Sequence, residues 1–308
     1  LHALTISSYW EGAFYPVGGA RSIAPALLHT VQAAGGAVRS GAAVRALRWR
    51  DGRVVGVVLE SGEELASRWV ISGIGARETV SRLLPEPIQQ QAWARQIMSL
   101  QPNVAHCGLY IGWRLRDGET PQALGVGAHN DWIYPGWDVA PPIWKDLFDQ
   151  LQPPAMFVSF PSLKDPAHQE PQHTAELIVW VDWSLVDAWA DTPTGQRDPE
   201  YLGVKGAIKQ SMLRAFAQHY PQIAERMEVS ELSTPLSTVT YTSHDRGAFY
   251  GLECTPRRML CDALAPRTPV PGLVLTGQDV CGPGVQGAMA GGLFAAASID
   301  PRVMRWFA

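Results

Sequence analysis

Apolar residues recur along this chain with two periods, and the changes of period mark its elements. Ile23, Leu27, Leu28 and Val31 fall at i, i+4, i+5 and i+8, one face of an amphipathic helix that Gly35-Gly36 stops. A meander follows. Val44 to Trp49 and Arg53 to Leu59 read as two strands joined by Asp51-Gly52, a strong two-residue hairpin signal. Ser61-Gly62 turns the chain again, and Leu65 to Ser72 is expected to form one third strand. Gly73-Ile74-Gly75-Ala76-Arg77-Glu78 imitates a glycine fingerprint, but glutamate stands where the third glycine belongs. It reads as a strand-to-helix turn, with helical pieces to about Leu100.

The pattern changes again after residue 100. Ala105, Cys107, Leu109, Ile111, Trp113 and Leu115 share one side of a long strand, with His106 and Tyr110 on the other. Asn130 to Trp144 is rich in Trp, Pro and Asp and reads as irregular. Phe157 to Phe160 is a short strand, and Ala175, Leu177, Val179, Val181 and Trp183 line one side of a longer one. Tyr201 to Tyr220 is a long helix with Val204, Ile208, Met212 and Phe216 at steps of four. These blocks predict three parts. Residues 1–100 and 256–308 belong to one α/β (α+β), Rossmann-like domain, and 101–255 is an inserted domain of sheet plus helices.

The most informative stretch runs from Pro271 to Gly292. Leu273 to Thr276 is a buried-strand pattern, Gly282, Gly284 and Gly287 have G-x-G-x-x-G spacing, and Val285 to Ile299 is a small-residue helix. A helix amino end offers free N–H groups to a phosphate or another electron-rich group, and glycines let backbone come close. A primary dinucleotide fingerprint would have an acidic residue about 20 residues downstream on a second strand. Here the acid, Asp279, precedes the glycines. A glycine-rich helix without a ligand and a membrane span remain alternatives, although Gln278, Asp279 and Pro283 interrupt the span.

Composition narrows the class. With 46% hydrophobic residues in 308, the chain can bury a sizeable core, and a net charge of −4 gives no electrostatic reason for a nucleic-acid partner. Four cysteines (Cys107, Cys254, Cys261, Cys281) form no disulfide framework, so reduced cytoplasmic thiols are the default expectation. The sequence starts at Leu1 already inside a pattern and reads as part of a longer protein.

The strand, Asp279 and glycine order resembles the closing segment of two-dinucleotide-binding-domain flavoproteins. Tyr15-Pro-Val-Gly-Gly-Ala-Arg-Ser, Phe157-Val-Ser-Phe-Pro-Ser-Leu-Lys-Asp-Pro and Arg246-Gly-Ala-Phe-Tyr-Gly-Leu-Glu are similar to the phytoene desaturase, carotenoid isomerase and retinol saturase group. The pattern looks most like its retinol saturase branch. The resemblance implies an FAD-dependent oxidoreductase acting on C=C or C–C bonds of an apolar polyene. It places Gly277, Asp279, Gly284, Val285 and Gly287 on the flavin, Ala43 and Val44 near the adenine, and Gly18 and Gly19 between cofactor and substrate. The family's amino-terminal fingerprint does not occur in these residues. The competing expectation is therefore a non-catalytic remnant, or a subunit that needs another chain to complete the flavin site.

Polyene chemistry needs a cofactor and an apolar channel more than a catalytic triad. Twelve tryptophans fit such a channel, and equally an ordinary core. A saturase also needs a proton source, for which His244, Asp245 and Tyr250 are weak candidates beside the family-like segment. The spacing of His168 and His173 does not suggest a metal site, and Cys281 reads as a small buried residue. The resemblance admits peripheral membrane contact, for which Val303 to Phe307 is the candidate segment.

Overall fold

The computed structural model describes residues 7, 9–10, 12–137, 143–147 and 151–306. The strands are β1 (Val44–Arg50), β2 (Arg53–Leu59), β3 (Glu64–Ala66), β4 (Val70–Ser72), β5 (Ala105–Arg114), β6 (Asn130–Ile133), β7 (Met156–Ser159), β8 (Gln172–Val181), β9 (Met227–Ser233) and β10 (Leu273–Leu275). Three longer helices matter below: α1 (Ile23–Ala33), α2 (Pro199–His219) and α3 (Gly284–Ile299). The chain divides into two compact units. Leu1–Arg39, Gly108–Val179 and Lys205–Leu232 make the first; Ser40–Cys107, Trp180–Val204 and Ser233–Ala308 make the second.

The first unit is built on a five-stranded sheet in the order β6-β7-β8-β5-β9. The alternation read from the sequence decides its faces. Leu109, Ile111 and Trp113 of β5, and Ala175, Leu177 and Val179 of β8, are buried. The i+4 row Ile208, Met212 and Phe216 of α2 is fully buried too. Rings connect the two layers: Trp113 meets Phe160 edge-on at 6.4 Å, Phe160 meets Tyr220 at 5.4 Å, and Tyr220 meets Phe216 at 5.1 Å. Each such fully buried large side chain contributes roughly 1.5–3 kcal/mol.

Helix α1 forms as its periodicity predicts, and Gly35 and Gly36 end it: their N–H groups return to the carbonyls of Gln32 and Val31. Its apolar stripe is not covered, however; Leu27, Leu28 and Val31 are all exposed. Asn130 to Trp144 departs from the irregular segment expected. It opens with β6, paired antiparallel to β7 through Trp132 and Phe157, and residues 138–142 lie outside the described residues.

The second unit holds the meander β1-β2-β3 and a parallel pair, β10 with β4. Asp51 and Gly52 both have positive φ, 48° and 72°, as a primed hairpin turn requires. The single strand expected over Leu65 to Ser72 is two strands. β3 pairs with β2, whereas β4 leaves the meander to pair with β10. The break falls at Trp69, whose ring lies under the guanidinium groups of Arg53 and Arg267 at 5.1 and 5.3 Å. Leu47, Val54, Val80, Ile97, Leu273 and Leu275 share one core beneath these elements. No helix among the described residues is long and apolar enough to cross a membrane.

Gly272 fastens the meander to the parallel pair. The Val54 N–H donates to the Pro271 carbonyl and the Val70 N–H to the Gly272 carbonyl. Gly272 has φ +87°, and a Cβ there would sit 2.2 Å from the Val54 carbonyl oxygen. Gly272→Ala is therefore expected to cost about 2 kcal/mol or more. Thermal unfolding followed by circular dichroism checks this, and an unchanged midpoint contradicts it.

Candidate functional site

The site is assembled around the turn that follows β10. Gly277 has φ +88°, and Gly284 starts α3 with φ +82°. No side chain caps the amino end of α3; its N-cap is Pro283, so the first-turn N–H groups keep no side-chain acceptor. Two glycines press this helix onto the loop. A Cβ at Gly287 would lie 1.8 Å from the Gly282 carbonyl oxygen, and one at Gly291 would lie 2.2 Å from that of Gly277. Only glycine permits this approach, so the G-x-G-x-x-G spacing has a packing cause in this fold. Nothing lies within 4 Å of a Cβ built on Gly282, which leaves that side of the loop open.

Asp279 holds the turn in place. It is 4% exposed, and each carboxylate oxygen has its own backbone donor: Ala76 N–H to Oδ2 at 2.8 Å and Leu252 N–H to Oδ1 at 3.0 Å. Charge-assisted bonds of this kind are among the stronger ones. They gather the turns after β4, before Leu252 and after β10. Two glycines make room: a Cβ at Gly251 would lie 2.5 Å from Asp279 Oδ1, and one at Gly75 would meet the Glu78 carboxyl.

The three acid-base candidates lie on a strained stretch. Ser243, Arg246, Gly247, Tyr250 and Gly251 all have positive φ. Left-handed backbone at non-glycine residues is costly and clusters at functional sites. His244 donates through Nδ1 to the Ala248 carbonyl, 3.2 Å away. Asp245 is paired with Arg77, Nη2 to Oδ2 2.7 Å, with Nε at 3.2 Å from the same oxygen. Tyr250 is different. It is 42% exposed, its ring lies tilted against Phe249 at 3.9 Å, and its Cε1 lies 3.9 Å from the position of a Cβ on Gly284. Of the three, Tyr250 is the one beside the glycine loop.

The remaining expected residues lie on other elements. Ala43 and Val44 sit at the exposed start of β1, where the Ala43 carbonyl accepts from Glu60 N–H. Gly18 and Gly19 belong to the first unit. Gly18 N–H donates to Asp165 Oδ2 at 2.9 Å, which joins two of the sequence segments singled out above. His168 and His173 are engaged with the Gln172 carbonyl and the Ser162 hydroxyl; among the described residues no cluster could hold a metal ion. All four cysteines are free. Phe307 lies outside the described residues.

Sequence reasoning missed four residues. Arg77 pins the strained stretch, donating to the carbonyls of Met98 and Leu100 as well as to Asp245. Arg258, 3% exposed, donates to the carbonyls of Leu252 and Gln278 on either side of Asp279. His106 lies tilted against Phe249 at 4.7 Å, and burial pushes its imidazole down to about 4, so it stays neutral. Glu78 is the glutamate that spoiled the second fingerprint. It accepts from Asp245 N–H at 2.7 Å, and burial, with Asp279 adding repulsion, raises its carboxyl above the usual range. The misplaced glutamate was the one signal available.

Glu78 supplies a pH test. Its folded-state pKa is raised above the ordinary 4.5, so its contribution to stability is complete below 4.5 and is lost as pH rises through the raised value. Glu78→Gln removes this titration. The melting temperature of the variant should fall less steeply above pH 4.5 than that of the parent. Equal slopes in the two proteins would contradict the assignment.

With the geometry in hand, comparisons locate the chain among known proteins. No protein-family model matches it. It is 29% identical to all-trans-retinol 13,14-reductase of Rattus norvegicus, over 98% of this chain and 52% of the relative. The Danio rerio all-trans-retinol 13,14-reductase is 30% identical, over 95% of this chain and 50% of the relative. Chloroplastic prolycopene isomerase of Daucus carota is 25% identical, over 92% and 43%. Among solved structures, a putrescine oxidase redesigned in cofactor binding superposes with a TM-score of 0.60 at 17% identity, over 93% of this chain and 53% of that one. The chain thus spans about half the length of the curated relatives it matches. It is a distant homologue, at superfamily level, of the retinol-reductase and carotenoid-isomerase group, with a mixed α/β fold related to those of oxidoreductases.

Proposed function

We propose that this chain carries the cofactor-closing and substrate-binding parts of an FAD-dependent oxidoreductase acting on C=C or C–C bonds of a carotenoid, retinoid or similar apolar polyene. The observation that carries this reading is the amino end of α3. Its N–H groups are uncapped, the loop before it is open at Gly282, and Gly284 admits close approach. That is the chemistry of a site for an electron-rich planar or phosphorylated group. The names of the relatives supply the substrate class.

In this reading FAD, when bound, supplies the hydride or electron transfer that side chains cannot. Gly284 and Val285 would face it with backbone N–H groups, and Gly287 lets this end of the helix sit against the loop. Asp279 and Gly277 hold the turn that aims them, because both Asp279 oxygens are already committed to backbone donors. Tyr250 stands at the edge of the same loop, and this position makes it the candidate for handing over a proton. The same reading assigns Ala43 and Val44 to the adenine, and Gly18 and Gly19 of the first unit to the border of cofactor and substrate.

A second reading has another chain completing the cofactor site. It is favoured by exposed apolar side chains around the same elements: Ile71, Ile74, Val285 and Met289 are between 39% and 58% exposed. One titration separates the two. Adding FAD to the purified chain should give a shifted flavin band that stays with the protein, and all-trans-retinol or a carotenoid should then lose absorbance in a reduction assay. Flavin that stays free favours the second reading. Flavin that binds without changing any polyene contradicts the substrate class.

A further inference from the structure

The five-stranded sheet has one closed face and one open face, and the open face carries a consistent chemistry. Directly paired residues project to the same side of a sheet. Trp132 pairs with Phe157, Phe157 with Ile178, and Ser159 with Glu176, so Trp132, Phe157, Ile178 and the Glu176 side chain share one face. Trp132 and Phe157 meet edge to face at 4.9 Å. On the neighbouring strand this face is nearly bare, because β5 presents Gly108, Tyr110 and Gly112 there. A Cβ at Gly112 would lie 2.7 Å from Val229 Cγ1, and one at Gly108 would lie 3.1 Å from the Tyr110 hydroxyl.

Beside Gly112 this face holds a trough. It is a cavity of about 390 Å³ bounded by Tyr110, Gly112, Thr174, Glu176, Val229 and Glu231. That volume is in the range of small-molecule sites, which are mostly apolar with few polar groups. The Glu176 carboxyl and the Tyr110 hydroxyl have no hydrogen-bond partner among the described residues. The Glu176 carboxyl lines the trough without such a partner, so it is available to a polar group of a ligand.

We propose that this trough binds an elongated apolar molecule ending in a hydroxyl or carbonyl group, with the Glu176 carboxyl as the hydrogen-bonding anchor of that end. The ligand class rests on the function proposed above; the location and the anchor do not. Burial raises the Glu176 carboxyl above the ordinary range, and both burial and Glu176 raise the Tyr110 phenol. An ionised carboxyl accepts a hydrogen bond from a hydroxyl, and a protonated one also donates to a carbonyl. The aromatic row toward Trp132 then lies along the hydrocarbon.

The test uses the 308-residue chain and two probes: all-trans-retinol, and the same polyene with CH3 in place of CH2OH. Binding is read from quenching of tryptophan fluorescence. Glu176→Leu should weaken retinol about tenfold and leave the methyl analogue within about twofold, the worth of one anchoring hydrogen bond. Glu176→Gln keeps a donor and an acceptor and should hold retinol within about threefold. Val229→Trp changes an exposed residue, so folding is spared, and by filling the trough it should weaken both probes at least about tenfold. Equal effects of Glu176→Leu on the two probes, no effect of Val229→Trp, or no saturable binding of either probe would overturn the proposal. Flavin binding is read separately by its absorbance. Retinol binding with these signatures in a chain that binds no flavin counts against the enzyme reading alone. Bound flavin with failed retinol signatures counts against the trough alone.

Discussion

The second unit depends on one buried carboxylate. Asp279 sits at the end of β10 and takes a backbone N–H on each oxygen, from Ala76 and from Leu252, residues far apart in sequence. Burying a carboxylate is unfavourable unless the lost water is replaced by donors. Here both replacements are backbone groups at turns, so the requirement of one side chain fixes three loops. Gly75 and Gly251 have no Cβ because the Glu78 and Asp279 carboxyl groups occupy that space. Arg258 closes the arrangement from the other side, on the carbonyls of Leu252 and Gln278. Once the turn is held, the direction of α3 and the exposure of its amino end follow.

Much of the fold was legible from local pattern. The Asp51-Gly52 hairpin, the alternation along β5 and β8, the four-residue steps of α2 and the strand-loop-helix at β10 and α3 all follow from local periodicity and turn chemistry. What failed was decided at long range. Leu65 to Ser72 reads as one strand with an apolar end, but its second half finds a better partner in β10, some 200 residues later. The β9 strand was not anticipated: four of its seven residues are exposed, and its alternation is too weak to read. The stripe on α1 predicted a helix correctly, but periodicity carries no information about what covers a face.

The site was legible in the same measure. Glycine spacing marked the loop and α3, and Asp279 stood out as an acid inside an apolar run. Its partners did not, since the groups it binds are backbone amides that any residue carries. Arg77 and Arg258 were invisible for a similar reason: both spend their guanidinium groups on main-chain carbonyls. In the first unit, Gly112 and Glu176 are unremarkable in sequence, and only the pairing of strands brings them into one trough.

The central claim is that Asp279 organises the loop beneath the amino end of α3. Hydrogen exchange of the Ala76 and Leu252 amides, in the parent chain and in Asp279→Ala, tests it most directly. The account predicts slow exchange at both amides in the parent. It predicts loss of protection at both in the variant, with faster exchange spreading to residues 282–287 while β5 and β8 stay protected. Equal protection of Ala76 and Leu252 in the two proteins would contradict it.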